Sequence, residues 1–145
     1  MTPTNLSHPA YIGPAFADAK VDDAMRVGLV TCRPSASPKD AARMMAGYGI
    51  HCLIVADPAT GGHSQPLGMV DALEVARGEA DGRARIEEIA TEPVTIDADA
   101  PLADAARAMA EQRISHLIAV QPGTDRPVGV ISASDVAAVL AWGRS

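Results

Sequence analysis

The sequence predicts an α/β protein in which one β-α-β-β-α unit occurs twice. The first observation is an internal repeat, because residues 21–56 align with residues 85–120 and match at strand and helix positions. The second is that Gly68 aligns with Gly129 after a loop of different length, so the repeat continues through the end of each copy. The third is composition, since 48% hydrophobic but only 3% aromatic residues favour a core of closely packed small side chains.

Each copy begins with a short helical segment, a short strand and a longer helix. The strand sequences LVTC and PVTI are rich in β-branched residues, which is typical of strands. Pro38 and Pro101 follow, and proline is favoured at the first helical position. Ser37 and Asp40 have the spacing of a capping box variant, which predicts the first helix start. The predicted segments are helices at 21–26 and 86–90 and strands at 29–32 and 93–96.

The second half of each copy is predicted to be a hairpin that leads into a last helix. The continuous apolar runs IHCLIVA and ISHLIAV indicate buried strands. Turn residues fill the loops DPATGGHSQP and QPGTDRP. The strands PLGMV and PVGVI then pass into the last helix of each copy.

The last strand-to-helix junction of the second copy carries polar residues in the segment GVISASDVAAVL, residues 129–140. Ser132 and Asp135 have the spacing of a helix capping pattern. The same residue types can bind a ligand, because a carboxylate accepts hydrogen bonds from two ribose hydroxyls and a helix N-terminus suits a phosphate. The junction alone favours capping and leaves both interpretations open.

Charge, apolar runs and residue spacings in the sequence argue against several classes of protein. The formal net charge of −6 disfavours nucleic acid as a partner. No apolar run approaches the roughly 18 residues of a membrane span, and the N-terminus lacks the pattern of a signal peptide. Cys32 and Cys52 do not form a disulfide framework, so we expect a cytoplasmic protein without membrane insertion. The spacings of the histidine and cysteine residues match no standard metal site, so we expect no bound metal. The sequence shows no nucleophile with a nearby base, so we expect no enzymatic activity.

The order of elements, ISHLIAV and PVGVISASDV together resemble a tandem pair of CBS domains, the Bateman module. The resemblance covers about residues 21–143 and implies two pseudo-symmetric repeats packed as one module. We expect an irregular N-terminal arm at 1–20, the first repeat at 21–78 and the second at 85–143. The family also implies a homodimer that regulates a separate, unidentified protein.

The resemblance implies a ligand-sensing module that binds an adenine nucleotide or related adenosyl compound between the repeats and signals by conformational change. AMP, ADP, ATP and S-adenosylmethionine are the candidate ligands, and no covalent cofactor is implied. Asp135 is expected to contact ribose, and the serines are expected to contact phosphate. The full set of expected ligand-binding residues is Leu29, Val30, Ile50, His51, His116, Val130, Ser132, Ser134 and Asp135.

The first copy departs from this pattern at the equivalent junction. Asp71, Leu73 and Glu74 stand where the second copy has two serines and an aspartate. A carboxylate at Asp71 would repel a phosphate, so we expect one competent site rather than two. The alternative is a structural protein-interaction or dimerisation module with no nucleotide ligand. A small nucleotide hydrolase is a third class, but no paired acid and base is evident.

Overall fold

A computed structural model of the chain describes residues 11–58 and 65–144. Most of the predicted loop at 57–66, and the first half of the predicted arm, lie outside these residues. The helices are α1 (Val21–Ala24), α2 (Pro38–Tyr48), α3 (Ala72–Ala80), α4 (Leu102–Gln112) and α5 (Ala133–Trp142). The strands are β1 (Arg26–Val27), β2 (Thr31–Cys32), β3 (Cys52–Val55), β4 (Gly68–Asp71), β5 (Thr95–Asp97), β6 (His116–Val120) and β7 (Pro127–Ser132), with a 3-10 helix at Ile86–Glu88. The predicted β-α-β-β-α order, twice, is confirmed.

The strands form two separate sheets, one in each of two compact units. Among the described residues, the first unit comprises 11–28 and 95–144 and holds the strand order β1-β7-β6-β5. The second comprises 29–58 and 65–94 and holds the order β2-β3-β4. In both sheets a parallel pair precedes an antiparallel hairpin, because β2 and β5 reach their partners through a helix whereas β3–β4 and β6–β7 are hairpins.

The segments that lead into each sequence repeat are exchanged between the units. In the first unit, Val21 of α1 donates a backbone hydrogen bond to Ala100 O at 2.9 Å, and β1 pairs antiparallel with β7. In the second unit, Ile86 donates to Ala36 O at 2.7 Å. The sequence repeats and the compact units are therefore two different divisions of the chain. Strand β1 lies partly in a segment for which the sequence predicted only helix, because its two residues are strand only through pairing with β7.

Glycines at equivalent positions allow the exchanged segments to cross the last strand of each hairpin. Gly129 in β7 lies opposite Val27 of β1, and a Cβ atom on it would lie 2.9 Å from Met25 Sδ. Gly68 in β4 is equivalent, and its Cβ would lie 2.9 Å from Thr91 O. The absence of a side chain at Gly129 therefore lets β1 lie close to β7.

Helices α2 and α4, which are equivalent in the two repeats, begin differently. Ser37 Oγ accepts a hydrogen bond from Asp40 N at 3.1 Å and caps α2, with Pro38 at the first helical position. Pro101 instead occupies the N-cap of α4, one residue before the helix, so the prediction that it starts the helix was wrong by one position.

The hydrophobic core of the second unit contains residues of α2 and α3 together with residues of β3 and β4. Its buried members are Cys32, Ala41, Met45, Ile50, Leu53, Val55, Val70, Val75 and Ile86.

Candidate functional site

The polar junction between β7 and α5 is a complete helix capping box. Ser132, the last residue of β7, is the N-cap of α5, and its backbone N donates to Asp135 Oδ2 at 2.8 Å. Asp135 N donates in return to Ser132 Oγ at 3.1 Å. Two backbone N–H groups that the helix cannot satisfy are thereby satisfied. The capping interpretation of Ser132 and Asp135 is therefore confirmed.

Capping leaves part of the polar capacity of this junction unused. The cap engages Oδ2 of Asp135, and within residues 11–58 and 65–144 the second carboxylate oxygen, Oδ1, has no hydrogen bond. Ser132 acts in the cap as an acceptor, so its hydroxyl hydrogen is not used there. Ser134 lies in the first turn of α5 with an exposed side chain. One carboxylate oxygen and two hydroxyls thus stand together at the positive end of a ten-residue helix.

Two further predicted site residues lie beside this junction in the same sheet. His116 in β6 is the register partner of Ser132, and its Nδ1 lies 2.7 Å from Ser115 Oγ. Ser115 O also accepts a hydrogen bond from Ala133 N at 2.8 Å, which ties the start of α5 to β6. Val130 is half-buried in β7 between Ile118 of β6 and Arg26 of β1. The structure therefore brings together Val130, Ser132, Ser134, Asp135 and His116.

The equivalent junction of the first repeat has the same geometry but a different charge. Asp71 is the N-cap of α3, where its N donates to Glu74 Oε1 at 2.9 Å and its Oδ1 accepts from Glu74 N at 2.8 Å. Burial raises the pKa of Glu74, and the neighbouring Asp71 charge raises it further. Leu73, which replaces a serine, is 74% exposed. Two carboxylates and an apolar side chain thus occupy the place of two hydroxyls and one carboxylate.

The cysteine beside this acidic junction is held as a thiol. Cys52 in β3 is the register partner of Asp71, and burial raises its pKa to about 12, with further contributions from the charges of Asp71 and Glu74. Burial also raises the pKa of Cys32. Both cysteines are free, and a raised pKa lowers the reactivity of a thiol toward electrophiles.

The remaining predicted site residues belong to the second compact unit. Val30 O accepts a hydrogen bond from Ile54 N at 3.0 Å, which extends the pairing of β2, and Leu29 precedes it, half-buried. Ile50 is buried, whereas the His51 side chain is exposed. Both Ile50 and His51 line a cavity of about 740 Å³ between α2 and α3, which no sequence motif indicated. Their expected role in ligand binding remains a prediction from the family resemblance.

No group of three or more histidine, cysteine, aspartate and glutamate side chains within the described residues could hold a metal ion. Among the helices of residues 11–58 and 65–144, none is both long enough and apolar enough to span a bilayer.

The fold and its duplicated junction define a class of α/β proteins made of two β-α-β-β-α repeats. The sequence profile of the CBS domain matches residues 21–80 and again residues 86–141, which together make up most of the chain. The chain therefore belongs to the CBS domain family and is a tandem CBS pair, a Bateman module. The identification proposed from ISHLIAV and PVGVISASDV is confirmed.

Solved structures of other proteins share this fold. The CBS domain pair of protein MJ0100, in complex with 5'-methylthioadenosine and S-adenosyl-L-methionine, is 25% identical with a TM-score of 0.73, covering 82% of this chain and 93% of that one. A protein from Pyrococcus horikoshii is 26% identical with a TM-score of 0.71, over 83% and 91% of the two chains. A CBS domain protein from Pyrobaculum aerophilum, complexed with AMP, has a TM-score of 0.72 at 20% identity, over 85% and 98%, and supports the fold alone. No curated protein matches this sequence.

Proposed function

We propose that this chain is a ligand-sensing regulatory module that binds an adenine nucleotide or related adenosyl compound at the β7–α5 junction. The observation that carries the proposal is the unused polar capacity of that junction. Asp135 keeps one carboxylate oxygen outside the cap, and Ser132 and Ser134 add hydroxyl donors at the N-terminus of α5. The MJ0100 domain pair, which is similar over 82% of this chain, is in complex with two adenosyl compounds and supports the ligand class.

Each group of the junction has a defined role in this proposal. Asp135 Oδ1 accepts a hydrogen bond from a ribose hydroxyl, while Oδ2 continues to cap α5. The hydroxyls of Ser132 and Ser134 donate to the phosphate or other 5'-substituent, and the dipole of α5 favours negative charge there. His116, in register with Ser132, stands beside the same position and can approach the ligand from β6.

Binding acts in this proposal by selecting one arrangement of the protein. A ligand that contacts one arrangement better than another shifts the population toward it, by no more than its difference in affinity. We infer that the module acts as a homodimer on a separate regulated protein and performs no catalysis of its own. The two free cysteines are consistent with the reducing cytoplasm, where we place it.

The test is calorimetric titration with 5'-methylthioadenosine, S-adenosylmethionine, AMP, ADP and ATP. We expect Asp135→Asn to make the free energy of ligand binding less favourable by about 1–3 kcal/mol. The amide keeps an acceptor for the cap but loses the charge that strengthens the ribose hydrogen bond. Asp104→Asn is the matched control, since it removes an exposed carboxylate from the first turn of α4 in the same unit. We expect this variant to bind as the wild type does.

The possible results separate the function from the site. If the wild type binds a ligand that Asp135→Asn binds equally well, the adenosyl function stands and the assignment to this junction is wrong. If none of the five compounds binds at millimolar concentration, the ligand-sensing function is wrong, and the chain is a structural interaction module. Chromatography of the ligand after incubation should show no turnover.

A further inference from the structure

A small charged cleft lies between α3 and the segment that follows this helix in the second compact unit. Its volume is about 210 Å³. Because this is less than the roughly 300–1,000 Å³ of sites for drug-sized ligands, its size suits a smaller molecule. The residues that line the cleft all belong to the second unit, and five of the seven have ionisable side chains. They are Glu74, Arg77, Gly78, Asp81, Arg83, Glu88 and Ile89.

The chain forms this cleft by turning back along α3. Asp81 is the C-cap of α3, and Arg83 N donates to Gly78 O at 2.9 Å, which holds the returning segment against the last turn of the helix. A Cβ atom at Gly78 would lie 2.7 Å from Ile89 Cδ1, which is too short for a real side chain. The Ile89 side chain therefore packs directly on the helix at this glycine. It gives the cleft one apolar wall, and such a wall strengthens the field of the charged groups beside it.

The positive and negative side chains of this cleft do not neutralise one another in ion pairs. Among residues 11–58 and 65–144, no ion pair within 4.0 Å joins Arg77 or Arg83 to a carboxylate. Glu88 Oε1 accepts a hydrogen bond from Ala84 N at 3.2 Å, and Oε2 of the same carboxylate accepts none within these residues. Opposite charges that line one cleft without contacting each other leave space for a ligand between them.

The second repeat has no counterpart of these charges. The repeat alignment places Ala138, Val139 and Trp142 at the positions of Arg77, Gly78 and Asp81. Val139 is only 1% exposed, so the equivalent face of α5 is packed rather than open. The charged cleft is therefore a feature of the first repeat and not of the duplicated fold.

The two signs of charge restrict the kind of ligand. The two arginines would attract an anion, but the three carboxyl side chains give the lining a formal charge of −1 and oppose it. A metal ion is disfavoured as well, because the acidic side chains of the described chain form no group of three that could hold one. A ligand that carries both charges satisfies both sets of side chains. Its carboxylate suits the planar guanidinium group, and its ammonium group has three donors for carboxylate oxygens.

We propose that this cleft binds a small zwitterion of the α-amino acid class. Arg77 and Arg83 donate hydrogen bonds to the carboxylate of the ligand, and Asp81 and Glu88 accept from its ammonium group. The volume favours glycine, alanine and serine over amino acids with long side chains. The β7–α5 junction belongs to the other unit, so the proposal does not depend on the adenosyl function and gives the module a second small-molecule input.

The first test separates the two charges of the ligand by NMR titration of the isotope-labelled chain. We expect glycine at millimolar concentration to shift the amide resonances of Gly78, Asp81 and Arg83 until they saturate. Acetate, methylammonium and N-acetylglycine each lack one of the two charges and should shift these resonances little. If any of them acts as strongly as glycine, the zwitterion class is wrong. If glycine, L-alanine and L-serine all give no saturable shift, the cleft is a solvated charged surface and the proposal is wrong.

The second test removes one charge of each sign from the cleft. We expect Arg83→Gln and Glu88→Gln each to raise the dissociation constant for glycine roughly tenfold, because each variant loses a charge-assisted hydrogen bond. Glutamine at position 88 keeps an acceptor for Ala84 N, so the turn should be retained.

The matched controls are Arg33→Gln and Glu92→Gln, which change exposed residues of the same unit outside the cleft. Both should bind glycine as the wild type does. Equal weakening in a control, or unchanged affinity in either cleft variant, overturns the proposal. Calorimetric titration of the same variants with AMP reports the adenosyl function separately.

Discussion

Asp71 and Glu74 form two reciprocal hydrogen bonds, each from the backbone N–H of one residue to the side-chain carboxylate of the other. The distances are 2.9 Å from Asp71 N to Glu74 Oε1 and 2.8 Å from Glu74 N to Asp71 Oδ1. The capping box therefore requires two carboxyl groups to lie close together at a partly buried helix start. Burial and the neighbouring charge both disfavour ionised Glu74, which raises its pKa above the usual 4.5.

The variant Glu74→Gln should gain stability relative to the wild type as the pH rises. The pKa of Glu74 is raised in the folded state, so protonated Glu74 favours folding. This contribution to the free energy of unfolding is fully present below the unfolded pKa near 4.5 and is lost as the pH rises through the folded pKa. Glutamine keeps the acceptor of the capping box and cannot ionise. Urea denaturation at pH 4 and pH 7 should show the wild type and the variant closer in stability at pH 4.

The control for this prediction is Glu92→Gln, which removes a carboxylate from an exposed position of the same unit. We expect its stability difference from the wild type to change little with pH. An equal pH dependence in both variants would mean that general charge repulsion, rather than the Asp71–Glu74 contact, controls the effect.

The repeat made most of the secondary structure predictable, whereas the exchanged segments could not be predicted. Helices of nine to eleven residues and apolar strands such as β3 and β6 are encoded by local residue patterns, and alignment of two copies reinforces them. Strand β1 is only two residues long and exists because Gly129, more than a hundred positions away in sequence, admits it. No local pattern specifies a pairing between segments so distant.

The polar junction between β7 and α5 was predictable in its position but not in its hydrogen-bond geometry. The spacing of Ser132 and Asp135 indicated a cap, and the structure contains it. The sequence does not specify the side-chain rotamer of Asp135, which leaves one carboxylate oxygen outside the cap. The cavity between α2 and α3 was also not predicted, because it arises where two helices meet rather than within one motif.

Equivalent helix ends offer a direct comparison of glycine with a larger residue. Gly49 ends α2 with a φ of 67°, and Arg113 ends α4 with a φ of 55°, both in the left-handed region. Side chains cost about 1 kcal/mol there, and a Cβ at Gly49 would meet no atom, so only the backbone term operates. We expect Gly49→Ala to lower the free energy of unfolding by about 1 kcal/mol.

The reciprocal change, Arg113→Gly, should raise the free energy of unfolding by less than about 1 kcal/mol, because glycine also increases the entropy of the unfolded chain. Urea denaturation of both variants at one pH measures the pair. Stabilisation by Gly49→Ala, or loss of stability in Arg113→Gly, would show that a side-chain contact rather than backbone conformation determines these helix ends.

Cys52 should react slowly with iodoacetamide in the folded protein. With a pKa of about 12, its thiolate fraction at pH 8 is roughly a thousandfold below that of an ordinary cysteine. The raised pKa also means that stability is lost as the pH rises from the usual value of 9 toward 12. The Cys32→Ala variant isolates the Cys52 reaction, and labelling followed by mass spectrometry should accelerate sharply when urea unfolds the protein. Labelling at the rate of a small thiol in the absence of urea would contradict the burial of Cys52.

Conversion of the first junction to the sequence of the second provides the sharpest test of the proposed asymmetry. The triple variant Asp71→Ser, Leu73→Ser, Glu74→Asp reproduces the capping box of Ser132 and Asp135, so α3 should still begin at Ala72 and circular dichroism should be unchanged. If two acids and a leucine exclude the phosphate from the first repeat, calorimetric stoichiometry for AMP should rise from one to two per chain. The reverse variant, Ser132→Asp, Ser134→Leu, Asp135→Glu, should lose its single ligand while keeping its cap. A wild-type stoichiometry of two would show that the acidic junction already accepts the ligand, in which case charge at Asp71 does not control binding.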